Sequence, residues 1–208
     1  MCYTCTEPFP RRTDPANTDR GAILMMPELS LNVLDIAENS VRAGATLTEI
    51  RVTVDTAADR LTITVSDNGC GMSEEQIAHV TDPFFTTRTT RKVGLGVPFF
   101  KMAAEITGGE FSIKSKLGEG TTTSAVFGLS NIDRMPLGDM AGTMSSLIGM
   151  NPDIDFIYSY ERDGTGFELD TREFREILGD DVSLSDPGVM TYIKSYIDEN
   201  TDECGGTV

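Results

Sequence analysis

The chain has 208 residues, 39% hydrophobic and 24% charged, with a formal net charge of -16, enough for one full-sized domain with an extension. It contains no run of eighteen apolar residues, which argues against a membrane-spanning helix. It starts without the basic-then-apolar pattern of a secretory signal, so the expected compartment is the cytoplasm. The charge is uneven: 12 Lys+Arg stand against 16 Asp+Glu in residues 1–130, and 5 against 17 in residues 131–208. The second part is therefore a poor match for nucleic acid and a better one for a basic protein partner, with a solvated acidic face as the plainer alternative.

Residues 1–26, rich in proline and without periodicity, read as a disordered leader. From Pro27 a helical pattern runs to Ala43-Gly44, with Leu31, Leu34 and Val41 flanked by Val33, Ile36 and Ala37 on a broad apolar face. Asp35, Glu38, Asn39 and Arg42, three and four apart, stand together on the polar stripe. Two alternating strands follow, Glu49 to Asp55 and Arg60 to Ser66, joined at Ala57-Ala58-Asp59. The second runs into Asp67-Asn68-Gly69-Cys70-Gly71-Met72. There a buried carboxylate at Asp67 could accept from a purine amine while the glycines let backbone lie against a ring, although Asp-Asn and Asn-Gly pairs also make ordinary turns. Ser73 with Gln76 predicts a capped helix ended by Pro83.

Residues 82–96 form a long irregular loop in which Thr86, Thr87, Thr89 and Thr90 interleave with Arg88, Arg91 and Lys92. In so acidic a chain this is a cationic island suited to an anion. It leads through Gly94-Leu95-Gly96 into a helix over Val97 to Thr107, whose first amides would face the same anion. Strands Glu110 to Leu117 and Thr121 to Leu129 flank Gly118-Glu119-Gly120. Strands in adjacent pairs predict an α+β domain with a mixed, mostly antiparallel sheet and helices on one face. Beyond residue 130 the pattern predicts a helix capped by Asp139, a hairpin around Asp163-Gly164, a helix capped by Asp170 and a last helix opened by Ser185 or Asp186 with Pro187. The methionines of this part are expected in the core. Cys2, Cys5, Cys70 and Cys204 make no disulfide framework, Cys70 reads as a small buried turn residue, and His79 reads as helix surface without metal-ligand companions.

Four boxes occur in order: Asp35-x-x-Glu38-Asn39-Ser40-x-x-Ala43-Gly44-Ala45, Asp67-x-Gly69-x-Gly71, Gly94-Leu95-Gly96 and Gly118-x-Gly120-Thr121. Over residues 27–130 they resemble the GHKL superfamily of ATP-binding domains, found in gyrase, heat-shock chaperones, sensor histidine kinases and MutL proteins. Asp82-Pro83-Phe84-Phe85-Thr86-Thr87-Arg88 is similar to the phenylalanine box of the kinases, while the Glu-Asn-Ser run looks more like the mismatch-repair branch.

The resemblance implies a two-layer Bergerat fold over 27–130 with an acidic α+β extension over 131–208, and ATP with Mg2+ as ligands. It implies a metal at Asn39, and an adenine site at Asp67, Gly69, Gly71, Met72 and Thr121. Phosphate contacts are implied at Thr87, Arg88, Lys92, Gly94, Leu95, Gly96 and Val97. Relatives that hydrolyse ATP place a Glu where this chain has Asp35, whose shorter reach points to slow hydrolysis, with Glu38 as a neighbouring candidate. The expected activity is phosphorylation of a separate protein, as in anti-sigma-type kinases of the superfamily, because no phosphoacceptor-histidine hairpin is evident. A nucleotide-gated binding module without transfer is the alternative. The chain also resembles small ATP-binding proteins of anaerobic bacteria found near redox enzymes, so the expected partner is a regulatory or redox-related protein, not nucleic acid or membrane. A homodimer is left open.

Overall fold

Period-two alternation places Ile50, Val52 and Val54 of β1 (Leu47–Asp55) and Leu61, Ile63 and Val65 of β2 (Arg60–Asp67) on one face, and all six are buried. In the computed structural model, which describes residues 28–80, 96–179 and 182–208, these strands pair antiparallel from Thr48↔Asp67 to Asp55↔Arg60. The expected leader, the stop at Pro83 and the loop carrying Thr87, Arg88, Lys92, Gly94 and Leu95 lie outside the described residues. β3 (Glu110–Lys116) pairs antiparallel with β4 (Gly120–Gly128), and β4 with β2. On the other side of β1, β5 (Asp155–Arg162) runs parallel to it, and β6 (Thr165–Asp170) closes a hairpin on β5. The sheet order is β3-β4-β2-β1-β5-β6, mixed and mostly antiparallel.

Helices cover one face of this sheet. α1 (Leu29–Arg42) lies over β1 and β2, and the short α2 (Glu74–His79) touches β3; α3 (Gly96–Ile106) crosses β3 and β4. α4 (Met140–Met150) packs on β5 and on α1, α5 (Thr171–Leu178) follows β6, and α6 (Pro187–Glu203) packs on α4 and β6. The caps are those the sequence signals: Ser73 and Gln76 form a reciprocal capping box on α2, and Asp139, Asp170 and Asp186 accept from first-turn amides of α4, α5 and α6. No helix among the described residues is long and apolar enough to cross a membrane.

The buried stripe of α1 is Leu29, Val33, Ile36 and Ala37, whereas Leu34 and Val41 are only partly buried. α1 has α3 on one flank and α4 on the other. Its start is also tied down, because the Leu29 and Ser30 amides donate to the Pro136 and Leu137 carbonyls at 3.0 and 2.9 Å. Those bonds satisfy first-turn donors that a helix cannot satisfy itself. One core joins residues from both parts of the chain, Phe100 and Phe127 with Leu137, Met144, Leu147, Tyr158 and Ile193. The methionines expected in the core include Met140 and Met144, both buried, while Met150 is exposed.

Candidate functional site

β2 ends at Asp67, and its carboxylate is held on both oxygens. Ser40 Oγ on α1 donates to Oδ2 at 2.8 Å, and the Gly69 amide donates to Oδ1 at 2.9 Å. Asp67 is half-buried, not fully buried as the sequence suggests, because its strand stops at the rim of a cavity instead of running under it. Directly across the sheet stands Thr121. The approach of β4 depends on Gly120, at φ +111°, where a Cβ would lie 1.9 Å from the Asp67 carbonyl oxygen. Gly71, at φ +65°, passes equally close to Lys116, its missing Cβ 2.0 Å from that carbonyl oxygen.

The turn from Asp67 to Gly71 is pinned by its side chains and backbone. Asn68 Oδ1 accepts from the Thr46 and Leu47 amides at 2.8 and 3.0 Å, and its Nδ2 donates to Thr46 Oγ1 at 2.8 Å. The Cys70 amide donates to Ala43 and its carbonyl accepts from Gly118, both at 2.9 Å. Cys70 is exposed, with its Sγ 3.5 Å from the Gly71 carbonyl oxygen, contrary to the buried turn residue the sequence suggests.

Together α1, β2, β3, β4, α2 and the start of α3 enclose a cavity of about 350 Å³, within the size range of small-ligand sites. Ile36, Val65, Val80, Val97 and Ile113 give it apolar walls, and Asn39, Ser40, Arg42, Asp67, Gln76 and Thr121 supply polar groups. Gly71 and Met72 also line it. Gly69 is buried against Ala43, its Cβ position 2.8 Å from that of Ala43.

The two candidate acids part company. Asp35 faces the first turn of α3, where a Cβ on Gly96 would stand 2.9 Å from its Cβ and 3.1 Å from its Oδ2. Glu38 instead ion-pairs with Arg42, whose Nη1 also donates to Asn39 Oδ1 at 3.1 Å. Asn39 itself is exposed. His79 is exposed at the end of α2, and among the described residues no group of three or more His, Cys, Asp or Glu could hold a metal ion by itself.

Sequence reasoning left several polar residues of this site unassigned, Ser40 and Ser115 among them. Ser40 was visible inside the first box, and its role emerges only once α1 is laid over β2. Ser115 sits opposite Thr121, a position that could have been found by counting back across the Gly118–Gly120 turn. Its Oγ accepts from the Met72 amide at 2.8 Å and contacts Thr121 Oγ1 at 2.8 Å.

The mixed sheet, with helices on one face, thus carries a cavity at the end of β2. Residues 27–131 match the family described as histidine kinase-, DNA gyrase B-, and HSP90-like ATPase, and the chain belongs to that family. It is 36% identical over 97 residues to the sensor protein kinase FleS of Pseudomonas aeruginosa, covering 47% of this chain and 24% of FleS. Against the sensor protein SrrB of Staphylococcus aureus the identity is 32% over 102 residues, covering 47% of this chain and 17% of SrrB. The chain therefore spans less than a quarter of the length of these curated relatives. A solved structure of the N-terminal domain of a DNA repair protein aligns over 70% of this chain and 52% of its own, with a TM-score of 0.49 and 16% identity.

Proposed function

We propose that this chain binds ATP with Mg2+ and uses it on a separate protein, transferring a phosphoryl group in trans or, without an acceptor, hydrolysing ATP slowly. The observation that carries the reading is Asp67, fixed by Ser40 and Gly69 at the polar end of a largely apolar cavity. A flat heteroaromatic base fits between apolar walls, and a carboxylate with lone pairs left over accepts from its exocyclic amine.

Asn39 fits a role in metal binding, since Mg2+ keeps most of its waters and needs few protein oxygens beside those of a polyphosphate. Asn39 Oδ1 serves it by releasing Arg42 Nη1, which holds that oxygen in this structure. When bound, ATP and its metal supply an activated phosphoryl group. Gly96 and the first amides of α3 receive the phosphate end. Asp35, against Gly96, orients the attacking hydroxyl or water and takes up its proton, while Glu38 holds Arg42 in place. Residues 131–208, with 17 acids against 5 cations and with Ile177 and Tyr192 exposed, are where the protein partner is proposed to dock.

The rival is a binding module whose partner affinity changes on ATP binding without transfer. A calorimetric titration with ATP and Mg2+, followed by incubation with γ-labelled ATP and co-purifying proteins, separates the two. Label on a protein supports transfer, labelled free phosphate alone supports slow hydrolysis, and tight binding with neither supports the module. No ATP binding would overturn the reading altogether.

A further inference from the structure

Ser115 Oγ meets three groups at once. The Met72 amide donates to it at 2.8 Å, it donates to the Gly120 carbonyl at 2.9 Å, and Thr121 Oγ1 lies 2.8 Å away. A hydroxyl has one proton and two lone pairs. The amide can only donate and the carbonyl can only accept, so all three contacts coexist only when Thr121 donates to Ser115. Thr121, which lines the cavity opposite Asp67, then turns nothing but lone pairs toward a ligand. The neighbouring wall obeys the same count. Ser40 gives its single proton to Asp67 Oδ2 at 2.8 Å, and an ionised carboxylate has none to give.

We infer that Ser115 is a specificity-determining positioning residue, which fixes the Thr121 proton and so makes Thr121, with Asp67 opposite, an all-acceptor surface. Such a surface takes a purine bearing an exocyclic amine and turns away one bearing a carbonyl at that edge. The inference rests on the proposed nucleotide reading and adds to it a residue outside the cavity lining. In a purely structural role, Ser115 would hold the Met72 loop and affect all purines alike.

ATP and ITP separate the two roles. At position 6 an amine stands against a carbonyl, and at N1 a bare acceptor stands against an N–H. An acceptor-only Thr121 therefore rejects ITP only where it meets position 6, and a wild-type chain that prefers ITP overturns the inference. In Ser115→Ala the freed Thr121 hydroxyl can rotate and donate to a carbonyl, so the ratio of ATP to ITP affinity falls by about tenfold. Ser115→Thr keeps a hydroxyl on the strand and restores the ratio. An unchanged ratio in Ser115→Ala with both affinities lowered together, or no restoration in Ser115→Thr, overturns the inference. Should Ser115→Ala lack a cooperative thermal transition, Thr121→Val carries the test: removing the acceptor weakens ATP and spares ITP, and an unchanged ratio there overturns the inference equally. A wild-type chain that binds ATP without preference over ITP sinks this inference alone, whereas one that binds no ATP sinks the nucleotide reading beneath it.

Discussion

Asp67→Asn tests the site at its centre, and the geometry sets the size of the effect. Asn keeps an oxygen for the Gly69 amide, at 2.9 Å in the wild type, and places its Nδ2 where Oδ2 faces Ser40 at 2.8 Å. The Ser40 hydroxyl can rotate to accept, so the fold loses no more than about 1 kcal/mol. Toward the ligand the change is severe, because a purine amine now meets a donor. The lost charge-assisted bond is worth about 1.5–3 kcal/mol, and leaving a buried donor unpaired costs about 1–3 kcal/mol. Together these come to roughly 2.5–6 kcal/mol, about two to four orders of magnitude in Kd. Calorimetric titration with ATP and Mg2+, run beside a thermal melt, reads both halves. An affinity within about threefold of wild type at unchanged Tm would refute the assignment of Asp67 as the amine acceptor.

Three further predictions concern the frame around the site. Gly120→Ala, whose Cβ would lie 1.9 Å from the Asp67 backbone oxygen, should cost about 2–5 kcal/mol, whereas Gly118→Ala, equally left-handed at φ +77° with nothing within 4 Å, should cost only about 1–2 kcal/mol. Equal urea midpoints for the two variants would contradict the close crossing of β2 and β4. Tyr158→Phe should leave stability unchanged or raise it by about 1 kcal/mol, because that buried hydroxyl finds no partner among the described residues; Tyr160→Phe should lower it by about 1 kcal/mol, because its hydroxyl donates to the Gly206 carbonyl at 2.9 Å. Opposite signs in a denaturant series are the check. Asp139 is held below the usual carboxylate range, first by the Gly142 amide and then by Lys194. Its contribution is thus full above the unfolded value near pH ~4 and fades as pH falls through the lower folded value. Asp139→Ala should cost about 1 kcal/mol at neutral pH, with the gap to wild type closing in acid; a gap that persists undiminished in acid would argue against the cap.

Most of the frame could be read from sequence because its signals are local. Alternation marks β1 and β2, Ser73 with Gln76 marks α2, and Asp170 and Asp186 mark the ends where helices begin. The parallel seat of β5 on β1 was not legible, because it joins residues from Leu47↔Asp155 to Val54↔Arg162 with no short turn to announce it. The boxes and the resemblance built on them single out Asn39, Asp67, Gly71, Met72, Val97 and Thr121, all of which line the cavity. They did not show that Asp67 would be half-buried or Cys70 exposed, since both depend on where Gly118 and Ala43 tie the loop. The grip of Arg42 on Glu38 and Asn39 was hidden for another reason. The spacing permits that pairing along α1, but it equally permits each side chain to point elsewhere.

The parallel seat of β5 governs how this protein can be dissected. A fragment cut after Ser130 would keep every box of the nucleotide site yet strip the backbone of β1 of its ladder from Leu47 to Val54. It would also remove the Pro136 and Leu137 carbonyls that receive the first amides of α1. The bare strand would then lie at the margin of the sheet, a template for pairing with other copies. Such a truncation should be recovered as aggregate or as a strand-exchanged oligomer, so binding measurements belong on the full chain.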